Sequence, residues 1–188
     1  MKTGAITAAI VIAIVIVAGV GYYLLTRREV GPITKSPEEM ALKSTDAPSG
    51  WLKGESTTWL SLDVVAQHFG TSVSNMQSWG YDRGVQQVFI GDNKSNLWSG
   101  VLRFSNVDGA SKAFSQLRTV YNPERENTIP QKIGDECAGY TETVEYSTHV
   151  IIFRKANVVA IVSTFGPTWM FSFDDTIAYA KIVEGRIQ

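Results

Sequence analysis

Cysteine occurs once in 188 residues, as Cys137, and histidine twice, as His68 and His149. A single thiol rules out an intramolecular disulfide and leaves a structural zinc site without its ligand set. Neither histidine has a second His, a Cys or paired carboxylates at ligand spacing, so no metal ligand is assigned. Cys137 is expected to be a small, buried, inert side chain. Also missing are the Gly-x-Ser-x-Gly nucleophile elbow, the His-Glu-x-x-His helix and the phosphate-cradling Gly-x-x-x-x-Gly-Lys loop. No catalytic and no cofactor-binding residue is therefore assigned, and the chain is expected not to be an enzyme. Asp135 and Glu136 are adjacent carboxylates, but neighbours on an extended segment point to opposite faces, so a turn acid and a solvated acid are expected. An excess of one charge is absent too: 17 Lys and Arg stand against 18 Asp and Glu, with no basic stripe. Nucleic-acid binding lacks its electrostatic footprint, and no such partner is expected.

What is present, from Ala5 to Leu25, is an uncharged run of about twenty residues rich in Ile, Val, Leu and Ala, long enough as a helix to cross a hydrocarbon core. Tyr22 and Tyr23 stand where an interfacial aromatic belt belongs, and Arg27 and Arg28 follow. A transmembrane helix over 5–26 is expected after a short tail, 1–4, with lipid as its partner. Two other uses of the run stay open. A cleaved secretory signal would begin at Lys2, although its apolar core is ordinarily about 7 to 15 residues. A pilin-like filament precursor would have the leader that Lys2, Thr3, Gly4 and Ala5 resemble, with Ala9 where such precursors often carry a polar or acidic residue. Residues 27–36, with Gly31 and Pro32, are expected to be a linker, and 37–188 one soluble domain.

Within that domain, caps and periodicity alternate. Ser36, Pro37 and Glu39 start a short helix through Lys43, and Asp46 to Gly50 form a turn that presents Trp51 to the core. Ser61 caps a helix through Phe69 on which Leu62, Val65 and Phe69 share a face. Val85 to Ile90 and Leu97 to Phe104 form a β-hairpin around Asn93, Lys94 and Ser95, which also spell an N-glycosylation acceptor at Asn93. Asn106 and Asp108 begin a helix carrying Ala110, Ala113, Phe114, Leu117, Val120 and Tyr121 on one stripe, ended by Asn122 and Pro123. A polar loop, 124–132, precedes a strand group through Tyr140 and Tyr146. Val150 to Phe153 and Val158 to Val162 are apolar at every position and predict central strands buried on both faces. Ser172 and Asp175 form a capping box for a last helix whose inner face is Phe173, Ile177, Ala180, Val183 and Ile187. The plan is α+β: an antiparallel sheet with helices packed on it.

Three segments carry a resemblance: the Pro-Ser-Gly-Trp turn ending at Trp51, the Ile-Gly-Asp-Glu stretch from Ile133 to Glu136, and Phe153, Arg154, Asn157, Val158 and Val159 around a hairpin. Together they resemble the PsbP/Mog-type α/β sandwich. Ala156 departs from that pattern, since relatives often have Gly there, and no lipid-acceptor cysteine stands near the amino terminus. The resemblance implies an exported, membrane-attached domain facing away from the cytoplasm, whereas Arg27 and Arg28 alone would favour a cytoplasmic one.

The expected function is thus a single-pass, membrane-anchored, non-catalytic interaction or accessory domain that binds a membrane-complex or envelope protein. The alternatives are a ligand carrier or sensor, with a cleft lined by Trp59, Trp79, Trp98, Trp169 and Phe171, and a filament subunit.

Overall fold

The computed structural model describes residues 31–59 and 61–188. The tail 1–4, the run assigned to a transmembrane helix over 5–26 and the first residues of the linker lie outside them. Among the described residues no helix is long and apolar enough to cross a membrane.

Pro32–Gln188 form one compact unit built on a seven-stranded antiparallel sheet. The strands are β1 (Leu52–Trp59), β2 (Tyr81–Ile90), β3 (Asn96–Phe104), β4 (Glu126–Asn127), β5 (Glu136–Thr143), β6 (Tyr146–Lys155) and β7 (Val158–Pro167), in spatial order β1-β2-β3-β7-β6-β5-β4. The helices are α1 (Pro37–Met40), α2 (Leu62–His68), α3 (Val73–Ser78), α4 (Val107–Val120) and α5 (Phe173–Arg186), with a 3-10 turn over Pro123–Arg125. The sheet divides two cores. On one face Val85, Phe89, Val101, Ile151 and Phe153 meet Met40 of α1 and Ile177, Ala180 and Val183 of α5. On the other, Leu102, Phe104, Ile152 and Ile161 meet Val65 of α2, Met76 of α3 and Ala113, Phe114 and Leu117 of α4.

That double covering explains why β6 and β7 lack alternation. Val158 to Val162 are all buried, because odd and even positions each face a helix layer. The caps expected at Asn106 and Ser172 form, whereas Ser61 stands at the start of α2 without a side-chain cap hydrogen bond. Asn106 Oδ1 accepts the Gly109 amide at 2.8 Å, and the Ser172 hydroxyl and Asp175 carboxylate reciprocate across the first turn of α5. The α4 stripe is buried at Ala110, Ala113, Phe114 and Leu117, and Tyr121 packs against the same core, but Val120, the last residue of the helix, is exposed.

Several boundaries differ from the sequence expectation. Helix α1 stops at Met40, not Lys43, because the Leu42 amide turns to Ser99 Oγ at 3.3 Å and the Lys43 amide to Asp46 Oδ2 at 2.6 Å. Strand β1 was not predicted: its sequence, Leu-Lys-Gly-Glu-Ser-Thr-Thr-Trp, has no apolar alternation, and it is an edge strand paired only with β2. Helix α3 was not predicted either, since it buries one residue, Met76, and so shows no periodicity. The segment expected as a loop over 124–132 begins within the 3-10 turn and contains β4, which pairs Glu126 and Asn127 with Tyr140 and Gly139. Finally, Tyr140 and Tyr146 belong to different strands, separated by a tight turn in which Val144 is 87% exposed.

Candidate functional site

At one end of the sheet, the segment leading into the domain is fastened down. Asn157, in the β6–β7 turn and 2% exposed, accepts the Ile33 amide on Oδ1 at 2.6 Å and donates from Nδ2 to the carbonyls of Ile33 at 3.2 Å and Phe104 at 2.6 Å. Arg103 Nη1 donates to the carbonyls of Thr34 and Lys35, the latter at 2.9 Å, while its Nε holds Asp82 Oδ2 at 2.7 Å. Lys35 Nζ reaches the Arg186 carbonyl at the end of α5 at 2.9 Å. Residues 32–36 are therefore a docked strap. The linker expected over 27–36 gives way to the domain at Pro32, because Ile33 is buried and its backbone polar groups are matched by one buried amide side chain.

The sequence motifs interlock beside this strap. Gly134, at φ +62°, passes so close to the β6–β7 hairpin that a Cβ there would lie 2.3 Å from the Arg154 carbonyl. Its amide donates to Glu184 Oε1 of α5 at 2.6 Å. Asp135 Oδ2 accepts the Ala156 amide at 2.8 Å and Arg154 Nη1 at 3.0 Å, while Arg154 Nη1 also donates to the Ala156 carbonyl at 2.9 Å. Glu136 pairs with Arg154 Nε and accepts Ser111 Oγ of α4 at 3.2 Å. Asp135 and Glu136 thus both converge on Arg154, contrary to the expectation of opposite faces, since Asp135 sits in the turn and only Glu136 in β5. Ala156 occupies the left-handed region at φ +51°, where Gly is the easier residue, and these contacts hold it there.

Around the end of α5 lie the ammonium groups of Lys35, Lys155 and Lys181. Lys155 Nζ donates to the Glu184 carbonyl at 3.0 Å, and Lys181 Nζ to Glu184 Oε2 at 2.9 Å and to the Lys132 carbonyl. Lys35 and Lys155 cap carbonyls at the end of the helix that would otherwise go unsatisfied and oppose the negative end of its dipole. Burial raises the Glu184 carboxyl's pKa, but the Lys181 hydrogen bond, the Gly134 amide and the charges of Lys181 and Lys155 outweigh it and leave the group below its ordinary value. Arg186 continues the cluster, gripping Asp46 with both Nη atoms at 2.7 and 2.8 Å and donating to the Ala41 carbonyl at 2.8 Å.

Of the aromatic residues assigned to one cleft, Trp79, Trp98, Trp169 and Phe171 are not gathered together. Trp79 and Trp98 pack on the core shared with α2, α3 and α4, with Trp98 Nε1 donating to Gln86 Oε1 at 3.3 Å. Phe171 is buried edge-on against Trp51 at 5.6 Å, and Trp51 packs on the other core, across the sheet. Trp169 is 73% exposed in the turn after β7, and Trp59 closes the edge strand β1. Surface depressions among the described residues include one of about 420 Å³ whose lining includes Arg118, Glu126, Lys132, Asp135 and Cys137, and one of about 340 Å³ beside α4 that includes Trp79. Neither brings two tryptophans together. Cys137 is partly buried, and burial pushes its thiol up to about 12, so it stays protonated at neutral pH.

At the opposite end of the sheet, Asn93 is exposed in the β2–β3 turn at φ +54°, whereas Ser95 of the same acceptor triplet is buried with its hydroxyl on the Asp92 carbonyl. His149 is buried with Nε2 at 3.2 Å from the Phe171 carbonyl and Nδ1 at 3.0 Å from Thr141 Oγ1, and among the described residues no group of His, Cys, Asp and Glu is arranged for a metal ion. Sequence reasoning missed the strap: its one signal is Ile33, an apolar residue between Pro32 and Thr34.

No family model and no curated protein matches the chain. Among solved structures it is similar to the extracellular domain of PknH from Mycobacterium tuberculosis, at 13% identity and a TM-score of 0.56, over 83% of this chain and 97% of that one. At that identity the likeness is one of fold: an antiparallel sheet with helices packed on it in an α/β sandwich.

Proposed function

We infer that this protein is a membrane-tethered, non-catalytic interaction or sensor domain that works outside the cytoplasm. The observation that carries this reading is the strap. The uncharged run ends at Leu25, and the chain is fixed to the domain from Ile33 onward by Asn157. A bilayer-length apolar segment is thus followed almost at once by a folded module whose first residues are bonded into its core. The resemblance of the Ile133–Glu136 and Phe153–Val159 segments to PsbP/Mog-type domains supports an exported location, and so does the solved neighbour, itself an extracellular domain. The clusters richest in charge are occupied with structure: Asp135 and Glu136 hold Arg154, and Asp46 holds Arg186. Binding of a membrane or envelope protein is the role that uses a fixed module at the surface.

The side of the membrane is tested at the exposed Asn93 turn. Asn93→Cys on intact cells should react with a membrane-impermeant maleimide, and the wild-type chain, whose Cys137 thiol is held protonated, should not. Labelling that appears only after lysis would place the domain inside and defeat the reading.

A further inference from the structure

We propose that the part of the sheet left bare beyond α2 and α4 is the face through which a second copy of this chain pairs with the first. The pairing goes beyond the functional reading above and is independent of it.

The bare part follows from where the helices end. Ladder partners share a face, so Val88, Trp98, Ser163, Val150 and Tyr140 form one row on the side that carries the Leu102 and Phe104 core. Tyr121, just past α4, stacks on Tyr140 at 5.2 Å, and a Cβ on Gly70, just past α2, would lie 3.0 Å from Val120 Cγ2. Both helices therefore end at that row. In the next row outward, Leu52 pairs with Ile90, Ile90 with Asn96, Asn96 with Phe165 and Phe165 with Thr148. Tyr146, one row further, stacks on Phe165 at 5.3 Å. Leu52, Ile90, Phe165 and Tyr146 belong to neither core, and Leu52 is 73% and Ile90 50% exposed. The opposite face at this end is closed, with Trp51 over Gly91 and Phe171 against Trp51.

Charge, shape and area commit this strip to its own copy. Its ladder positions are uncharged, Asn96, Ser163 and Thr148 included, although the chain has 17 Lys and Arg and 18 Asp and Glu. Such a face offers an acidic or basic partner nothing, whereas homodimer contacts are apolar and poor in charge. A helix layer is about 10 Å thick and packed sheets stand about 10 Å apart, so the end of α4 makes a step of the height that a second sheet fills. A two-fold axis across the strands, over the Phe165 row, lays each bare strip on the other and sends each copy's helices past the other's turns. The two steps interlock. From β1 to β6 in spatial order the strip is about 24 Å wide, and its three rows are about 20 Å long. Two such faces bury about 1,000 Å² in all, where specific association begins.

On that axis each residue of the Phe165 row faces its own counterpart. Asn96→Cys and Thr148→Cys, each in the full chain with Cys137→Ala and solubilised in mild detergent, should be joined into dimers by a short bis-maleimide. Ser115→Cys, exposed on α4, should not. Ile90→Asp should lower the dimer fraction about tenfold by burying a carboxylate at the contact, and Ile90→Val should retain it. Leu52→Asp, at the more exposed neighbour, repeats the loss, and thermal melts matching the parent separate it from unfolding. Chains that stay monomeric at both cysteines overturn the pairing, as do dimers that persist in a folded Ile90→Asp and Leu52→Asp chain. Joining of Asn96→Cys on intact cells to a protein of another mass also overturns it, since a different partner then covers the strip.

Discussion

Asn157 and Ile33 are 124 residues apart in the chain and exchange two backbone-to-side-chain hydrogen bonds, with the Asn157 amide buried between them. One side chain thereby closes the β6–β7 turn, anchors the end of β3 through the Phe104 carbonyl and fastens the strap. Asn157→Ala would leave a buried amide and two buried carbonyls without partners. It should cost about 2–3 kcal/mol in urea unfolding and open residues 32–36 to protease while the rest of the domain resists. Wild-type stability with a protected strap would show that the pairing is incidental.

Gly109 gives a prediction opposite in sign to helix propensity. In the first turn of α4, Ala would normally gain about 1 kcal/mol over Gly. Here a Cβ would lie 1.7 Å from the Trp79 carbonyl, so the helix touches the chain leaving α3 backbone to backbone. Gly109→Ala should lower stability by about 1–3 kcal/mol, as overpacking does. A thermal melt showing a gain would refute the contact.

Stability should fall on the alkaline side. Burial raises Cys137 from 9.0 to about 12 and raises Tyr81, Tyr121, Tyr140 and Tyr179 above their ordinary 10.0. Each folded group binds its proton more tightly than the unfolded chain does, so the contribution is complete below pH 9 and is lost as pH rises from 9 towards 12. Urea midpoints measured across pH 8 to 12 should decline from about pH 9 onward, and Cys137→Ala should shift the onset to that of the tyrosines. A flat profile would contradict the buried thiol.

On the acid side the sign reverses. Burial pushes the Asp46 carboxyl up, but the hydrogen bonds from Arg186 and the Lys43 amide, with the charges of Arg186 and Lys43, bring it below 3.8; Glu184 lies below 4.5 for the parallel reasons given above. Their contribution is present above those values and disappears as pH falls below them. Asp46→Asn, which removes the charge from the two-point grip on Arg186, should cost about 1–3 kcal/mol at pH 7 and make the remaining acid loss shallower. An unchanged acid transition in that variant would assign the loss to other carboxylates.

Much of the architecture follows from the sequence because it depends on local chemistry. Asn106 and Ser172 cap α4 and α5, and the all-apolar Val158 to Val162 identifies a strand buried on both faces, since each residue type answers to its immediate backbone. Strand β1 and helix α3 escape that logic: one is a polar edge held by its ladder with β2, the other a six-residue helix anchored by Met76. The scattering of Trp79, Trp98 and Phe171 has a related cause. Residue type makes Trp79, Trp98 and Phe171 good cleft linings, but only strand register and helix placement determine which side of the sheet each meets.

A bilayer-length apolar run ahead of one α+β domain with a single cysteine can be read from short windows, because length, composition and caps are local properties. The path of the folded chain is what starts the domain at a strap pinned by Asn157, brings Asp135 and Glu136 to Arg154, and sets Lys35, Lys155 and Lys181 around the end of α5. Those groups come from segments as far apart as Ile33 and Asn157, and their meeting depends on the paths of β6, β7 and α5, which no local window contains.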